Sequence, residues 1–496
     1  MQLIHTIDIF IRKFINRNIT NLYLIHLDRV SHPKIFSLYG SMYFQKFNMN
    51  TTKRILYEHK NKTQKRNPKH KPLIESMNFQ DLGKWYLENI SIKEKERDHF
   101  GEVFTPPDLI GELLDALPAK VWKNPSLTWL DPAAGFGNFH MFVYERLMRG
   151  LRRAFPSPLL RKRHILTNML FFVEMNPKNV VLAKRIFGPS ANICCADFLQ
   201  EHNKWSTAFQ GRQQFDIVLG NPPFQRSKKE MYKGAAGQNA ALWPLFIKDI
   251  LENRLLSSAS SGYLAFITPA LWRRPEAALY PLMTRENELV FLHMYDKQAG
   301  LDRFHAETRF DLFVIRKVEG QPAFSKDLGK SCTIIDETGK THHFQDLGKW
   351  PFLPNRSFDL IESHLLLKPR ETAIIYDSST YDARHLSTKK TAKYQYPVVH
   401  TITKKGGLGI RWADHRDPAM FGQPKVLLNF NEQQYPYNDF LGKYGMSQLT
   451  FGLPIKTKKE GDEMIRRITS PDFKEIIKAT KWSAFQTDYR MFKYLK

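Results

Sequence analysis

Between residues 100 and 320, short and wholly apolar runs alternate with longer stretches whose apolar positions recur every three or four residues. In Asp108–Leu117 the positions Leu109, Ile110, Leu113, Leu114 and Leu117 share one side of a 3.6-residue turn, which predicts a helix. Pro107 suits its first turn, where a missing N–H leaves nothing unpaired. LTWLD (Leu127–Asp131) reads as a short strand, and Gly137–Arg153 as a helix with Phe139, Phe142, Val143 and Leu147 on one face. LFFVE (Leu170–Glu174), NICCAD (Asn192–Asp197), FDIVLG (Phe215–Gly220) and GYLAFIT (Gly262–Thr268) read as further strands. Asn176–Pro177 opens one helix, and another spans about Ala240–Leu256. Strands apolar on both faces, alternating with helices, predict a parallel sheet covered on both sides. Leu289–Tyr295 and Asp311–Lys317 follow without a long helix between them and predict an antiparallel pair closing that sheet.

This rhythm stops near Gly320. Beyond it, short strand-like pieces such as YPVVH and KVLLNF are separated by Gly, Pro and Lys, which predicts an α+β domain over 321–496. Before it, residues 1–72 lack a clean period, and Thr52–Pro72 holds eight basic residues against one acid, Glu58. That segment reads as a flexible basic arm, leaving 73–320 as the central domain. The heptapeptide FQDLGKW occurs at Phe79–Trp85 and again at Phe344–Trp350, with unrelated flanks.

Composition narrows the partners. Of 496 residues, 74 are basic and 49 acidic, a formal charge of +25, which points to a polyanion such as nucleic acid. Three cysteines (Cys194, Cys195, Cys332) cannot make a disulfide framework, and no CxxC or HxxxH spacing suggests zinc. No uninterrupted apolar stretch approaches the length of a membrane span, and no signal peptide is evident. A cytoplasmic setting, in a bacterium or a phage- or virus-infected cell, is expected.

The candidate chemistry lies at the carboxyl ends of the predicted strands. DPAAGFGNF (Asp131–Phe139) follows the first strand and opens a helix, so Gly135 and Gly137 let backbone approach a ligand closely. Glu174 ends the next strand, where a carboxylate can accept both hydroxyls of a ribose, and Asp197 ends the one after, where it can receive an adenine amino group. Each acid alone would more often be a helix cap. Three of them on three successive strand ends weaken that reading. There is no GxxxxGK[ST], which disfavours a triphosphate. Asn221 follows the fourth strand on the same rim, and the rigid Pro222–Pro223 pair would hold two acceptors still: the Asn221 side-chain oxygen and the Pro222 carbonyl. Two fixed acceptors suit an exocyclic amine, and Phe224 could lie flat against the base that carries it.

Together GEVFTPP (Gly101–Pro107), DPAAGFGNF and NPPF (Asn221–Phe224), in this order, resemble the gamma-class N6-adenine DNA methyltransferases of restriction–modification systems. The resemblance is strong over Gly101–Lys317 and loose beyond. It implies a Rossmann-like class I methyltransferase sheet with helices on both faces, followed by a target-recognition domain. It implies S-adenosylmethionine along Asp131–Phe139, touching Phe104, Thr105, Pro106, Asp131, Ala133, Gly135 and Gly137, with Glu174 on the ribose and Asp197 on the adenine. The target adenine is expected to be flipped from double-stranded DNA, its amine gripped by Asn221 and Pro222, its ring stacked on Phe224, with Pro223 stiffening the loop and Phe304 supplying a second aromatic contact. No His or Glu is expected as a base, because the nitrogen sheds its proton once cationic. Serine in place of Asn221 typifies cytosine-N4 enzymes, so adenine is favoured here.

Lys389, Lys390, Lys404, Lys405 and Arg411, beside Tyr394 and Trp412, are the candidate DNA contacts of the C-terminal domain. No PD…(D/E)xK set precedes Gly101, so any cognate restriction endonuclease is expected to be a separate protein. The expected enzyme is a monomer without a metal. The alternatives weighed are an RNA adenine methyltransferase, a protein glutamine methyltransferase, for which +25 would serve no purpose, and a catalytically silent DNA-binding subunit.

Overall fold

The computed structural model describes residues 74, 105–225, 241–253, 255–257, 262–318, 332–366, 369–370, 375–376, 380–431, 434–483 and 487–496. The basic arm, Phe104 and the first FQDLGKW copy lie outside these residues. Residues 71–496 form one compact unit.

Nine strands make the main sheet: β1 (Trp129–Asp131), β2 (Leu170–Glu174), β3 (Asn192–Cys195), β4 (Ile217–Gly220), β5 (Tyr263–Pro269), β6 (Glu288–Tyr295), β7 (Phe310–Arg316), β8 (Cys332–Ile335) and β9 (Thr341–Phe344). Their order is β3-β2-β1-β4-β5-β7-β6-β8-β9. β1 to β5 are mutually parallel, and β7 runs antiparallel to both β5 and β6. This is the expected α/β fold, a mixed Rossmann-like sheet with an antiparallel closing pair. β8 and β9, from the stretch beyond Gly320, extend the same sheet past β6.

β2 illustrates why the strands read as unbroken apolar runs. Phe171 and Val173 enter one core with Trp205 and Phe246, while Leu170 and Phe172 enter the opposite core with Val143 and Leu147. Both faces are covered, so no polar position is required, and each such side chain contributes roughly 1.5–3 kcal/mol by burial. The helix Pro107–Asp115 begins at the expected proline and buries Leu109, Ile110, Leu113 and Leu114. Among the described residues no helix is long and apolar enough to cross a membrane.

Two smaller sheets follow. One has the order β10-β12-β11-β15, from β10 (Leu386–Ser387), β11 (Tyr396–Ile402), β12 (Leu408–Ala413) and β15 (Gly445–Met446). The other has the order β14-β13-β16, from β13 (Lys425–Asn429), β14 (Tyr437–Asp439) and β16 (Thr450–Pro454). Helices Lys458–Ile468 and Pro471–Ala479 complete the chain's last third. Its buried Phe430, Phe451, Ile476 and Phe492 join the core beneath β4 and β5.

A fully buried ion pair ties this part to the main sheet. Arg273, just after β5, donates through Nε to Asp311 of β7 at 2.7 Å. Its other nitrogens donate to the Leu353 and Pro354 carbonyls at 3.2 and 3.1 Å and to Asn355 Oδ1 at 3.0 Å. Asn355 in turn donates to the carbonyls of Ala479 and Lys481. The second FQDLGKW copy ends in Trp350, which is wholly buried and whose carbonyl accepts from Tyr280 Oη at 2.9 Å.

Candidate active site

Strand order reverses between β1 and β4, so the loops leaving these neighbours diverge and open a crevice at their carboxyl ends. Asp131 ends β1 and Gly220 ends β4. A Cβ at Gly220 would lie 2.8 Å from Asp131 Oδ1, and its φ of +150° is one that L side chains rarely adopt. Glycine is therefore required for the chain to turn from β4 past the carboxylate into Asn221.

The glycine-rich turn is locked from several sides. Asp131 Oδ1 accepts from Ala133 N at 3.1 Å, and Gly137 N donates to the Ala134 carbonyl at 2.8 Å. Gly137 adopts φ +97°, and a Cβ there would meet the Phe187 ring at 2.4 Å. Gly135 has φ +55°, but a Cβ would meet nothing within 4 Å, so its backbone borders open space. Glu174 accepts from Gly135 N at 2.8 Å and from Asn176 N at 2.7 Å, one bond to each carboxylate oxygen. Asp197 uses Oδ1 to accept from Leu199 N and Gln200 N at 2.9 and 3.2 Å, the capping role acids at such positions commonly play.

Asp131 is buried, and burial, with Glu174 adding repulsion, pushes its carboxyl up to about 8. A buried acid without a counter-charge among the described residues fits a ligand that carries a positive group.

Thr105 brings the three motifs together. Its carbonyl accepts from Asn138 Nδ2 at 2.9 Å, at the start of the helix after the glycine turn. Its hydroxyl accepts from Asn221 Nδ2 at 3.0 Å across 116 positions of sequence. Asn221 Oδ1 is buried and has no hydrogen-bond partner among the described residues. The helix that follows Thr105 is braced by Glu112, which accepts from His293 and Tyr295 of β6. Burial would raise the Glu112 carboxyl, but those hydrogen bonds outweigh it and hold it below its usual range.

Pro222 is buried, and Phe224 is partly exposed with its ring edge-on to Phe304 at 6.3 Å. Phe304 is itself mostly buried and packs on Phe310 at 4.9 Å. Just beyond Phe224, Gln225 bridges to Ala241, and Leu242 N donates to the Phe224 carbonyl at 3.2 Å. The C-terminal candidates stand apart. Lys404 and Lys405 are exposed in the turn joining β11 to β12, while Lys389 and exposed Lys390, whose Nζ lies 5.0 Å from the Trp412 ring, sit at the other end of that ribbon. Seven positions separate Lys405 from Trp412 along the ribbon, with partly buried Arg411 on β12 between the two groups.

Pattern reading missed the Thr105–Asn221 bond and the Glu112 brace. Nothing local marks them, since each joins positions more than 100 residues apart.

Residues 189–299 match the model of the Eco57I restriction-modification methylase family, a stretch that contains NPPF but neither FTPP nor the glycine turn. An "Uncharacterized adenine-specific methylase" of Mycoplasma pneumoniae is 25% identical, over 45% of this chain and 65% of its own. The chain thus spans somewhat less than two thirds of that relative. Among solved structures, the Type IIL restriction-modification enzyme MmeI in complex with DNA has a TM-score of 0.44 at 15% identity, covering 74% of this chain and 64% of its own. The ATP-dependent Type ISP enzyme LlaBIII bound to DNA has a TM-score of 0.47 at 10% identity, covering 76% of this chain and 36% of its own. At those scores the two structures are likenesses and carry no argument. The resemblance read from the three motifs, to the N6-adenine DNA methyltransferases of restriction–modification systems, is the one that the family match and the curated relative bear out.

Proposed function

We propose that this protein transfers a methyl group from S-adenosylmethionine to N6 of a flipped adenine in a specific DNA sequence, as the modification enzyme of a restriction–modification system. The observation that carries the reading is the buried Asn221 Oδ1 without a partner, whose own amide nitrogen is tied back to Thr105. An unpaired buried acceptor is unfavourable until a donor arrives, and an adenine amine is such a donor. The Eco57I match over NPPF and the adenine-specific description of the Mycoplasma relative favour this base.

Bound S-adenosylmethionine supplies a methyl group already activated on a sulfonium. The chain's own residues then have three tasks. Asp131, Gly135 and Glu174 would hold the donor, Asp131 toward its cationic portion and Glu174 toward its ribose, with Asp197, Ala133, Pro106 and Gly137 shaping the remaining wall. Asn221 Oδ1 and the Pro222 carbonyl accept the two amine protons, drawing the nitrogen out of conjugation and aiming its lone pair. Phe224 and Phe304 flank the ring. Holding the reactants in line supplies much of the rate, and the proton leaves the nitrogen after it has become cationic. In the same reading, residues 321–496 read the DNA sequence, with Lys389, Lys390, Lys404, Lys405 and Arg411 on phosphates.

The test is Asn221→Ala. Methyl transfer to DNA is expected to fall by at least about 10²–10³-fold, with thermal stability and S-adenosylmethionine binding by calorimetry near wild type. Transfer at the wild-type rate would refute the assignment of the clamp. Expression in a methylation-free host, followed by long-read mapping of modified bases, is expected to return one adenine-containing motif.

A further inference from the structure

Past β5 the chain turns through Ala270–Arg273 and delivers Arg274 to the wall of a cavity of about 310 Å³. Tyr376, Phe430, Trp482, Tyr489 and Arg490 also line it. Its charge is unbalanced. Asp488 is the acid among the lining residues, and Arg490 occupies it: Oδ1 accepts from Arg490 Nε at 2.8 Å and from its backbone N at 3.1 Å, and Oδ2 from a second guanidinium nitrogen. Among the described lining residues two guanidiniums face one carboxylate, and the unmatched charge is that of Arg274, whose Nε is buried without a hydrogen-bond partner among them. Burial, and then the neighbouring Arg490, push the Arg274 guanidinium below its ordinary range. A partly buried guanidinium whose Nε is unpaired is better satisfied when an anion lies beside it.

The walls say which anion. Tyr376 lies 4.8 Å from Tyr489 and 4.9 Å from Phe430, centroid to centroid, so the cation sits beside flat apolar surface. A phosphate attached to a planar base matches that pairing of charge and ring. Location narrows the source. β5 is the sheet neighbour of β4, whose end carries Asn221, and Arg274 leaves the sheet from the same rim.

We infer that Arg274 and the aromatic walls around it form a binding site for a backbone phosphate of the bound DNA, with the adjoining base against the tyrosines. The inference rests on the DNA-methyltransferase reading above. The same chemistry would accept free phosphate, and the experiment separates the two.

Full-length wild type, Arg274→Gln and Arg274→Lys are titrated with a labelled duplex across a salt series. Arg274→Gln is expected to bind about tenfold more weakly on target and non-target sequences alike, and its log affinity against log salt to be shallower by about 1. Arg274→Lys keeps the wild-type slope, and S-adenosylmethionine binding is unchanged in both. Neutral methylphosphonates placed singly along the duplex supply a second measurement that needs only wild type and the lysine variant. One phosphate is expected whose neutralisation costs wild type more than it costs Arg274→Lys. Identical profiles, or a glutamine variant with wild-type slope and affinity, overturn the assignment. So does stabilisation by inorganic phosphate that Arg274→Gln abolishes while DNA binding is unaffected, which would make the site one for free phosphate. Wild type that binds no DNA at any salt overturns the parent reading and this assignment together.

Discussion

Thr105 shows how much one side chain can organise. Asparagine presents an oxygen on one side of its amide and an NH₂ on the other, and only the oxygen suits an incoming amine. By accepting from Asn221 Nδ2, the Thr105 hydroxyl fixes which side faces the site. Thr105→Val removes that acceptor with little change of volume. Its turnover number is expected to fall roughly 10–100-fold with the KM for S-adenosylmethionine little changed, and Thr105→Ser to recover most of the loss. An equal loss in the serine variant would argue that packing, not the hydrogen bond, matters. Asp131 gives a second expectation at this scale. With its carboxyl pushed up to about 8 by burial, it is largely protonated at neutral pH in the free protein. A positively charged ligand binds the ionised form better, so S-adenosylmethionine affinity should rise with pH, by up to about tenfold per unit, and level off above about 8. Calorimetry from pH 6 to 9, in roughly unit steps, reads this directly. An affinity flat with pH would mean that Asp131 does not face the charge. Residue roles were legible where chemistry is local. Gly135, Gly137 and Asn221 each follow a strand and stand out by type, whereas Thr105 reads only as part of FTPP, because its partner lies 116 positions away.

The strands that cross the middle of the sheet were legible almost to the residue. LFFVE is β2 in full, and the pair predicted at Leu289–Tyr295 and Asp311–Lys317 is β6 and β7, each within a residue of its ends. β2 and β7 are apolar on both faces because both faces are covered, while β6 alternates buried and partly buried positions, so in each the pattern carries the architecture. β8 and β9 were not placed in the main sheet. THHF (β9) is largely exposed and polar, and its pairing with β8 is set by the hairpin between them and by β6, neither of which has a sequence period. The Arg273–Asp311 pair was equally hidden, since an arginine after a strand ordinarily reads as surface. Removing one partner leaves the other buried and uncompensated. Arg273→Met is therefore expected to lower stability by about 3–5 kcal/mol in denaturant unfolding. The double variant Arg273→Met, Asp311→Leu should regain part of that loss. If the double change is as damaging as the sum of the single ones, the two groups are not acting as a pair.

For the whole molecule, a formal +25 predicts strong dependence of DNA binding on salt. Each phosphate neutralised releases counterions, so affinity should fall by orders of magnitude between about 50 and 200 mM salt if several basic groups engage. An affinity flat over that range would mean that the charge serves some other purpose. The exposed lysines lie at the two ends of the β11–β12 ribbon, so the two groups would meet different stretches of phosphate backbone. A polyanionic partner is the expectation that charge and composition raise from the sequence alone. The separation of the lysines did not follow from it, because the order of β10, β12 and β11 decides which ends are near.

The buried arginine after β5 also decides where this chain tolerates being cut and rejoined with a relative. A transplant starting at residue 321 replaces the Leu353–Asn355 carbonyls and amide that the host guanidinium holds, and so strands a charge in the interior. Asn355 is fastened in turn to Ala479 and Lys481, which makes 353–355 and 479–481 a single joint travelling with the host. Exchange of the β10–β12 ribbon alone, residues 380–420, leaves that joint intact, so a hybrid of that design is expected to fold where one joined at 321 is not.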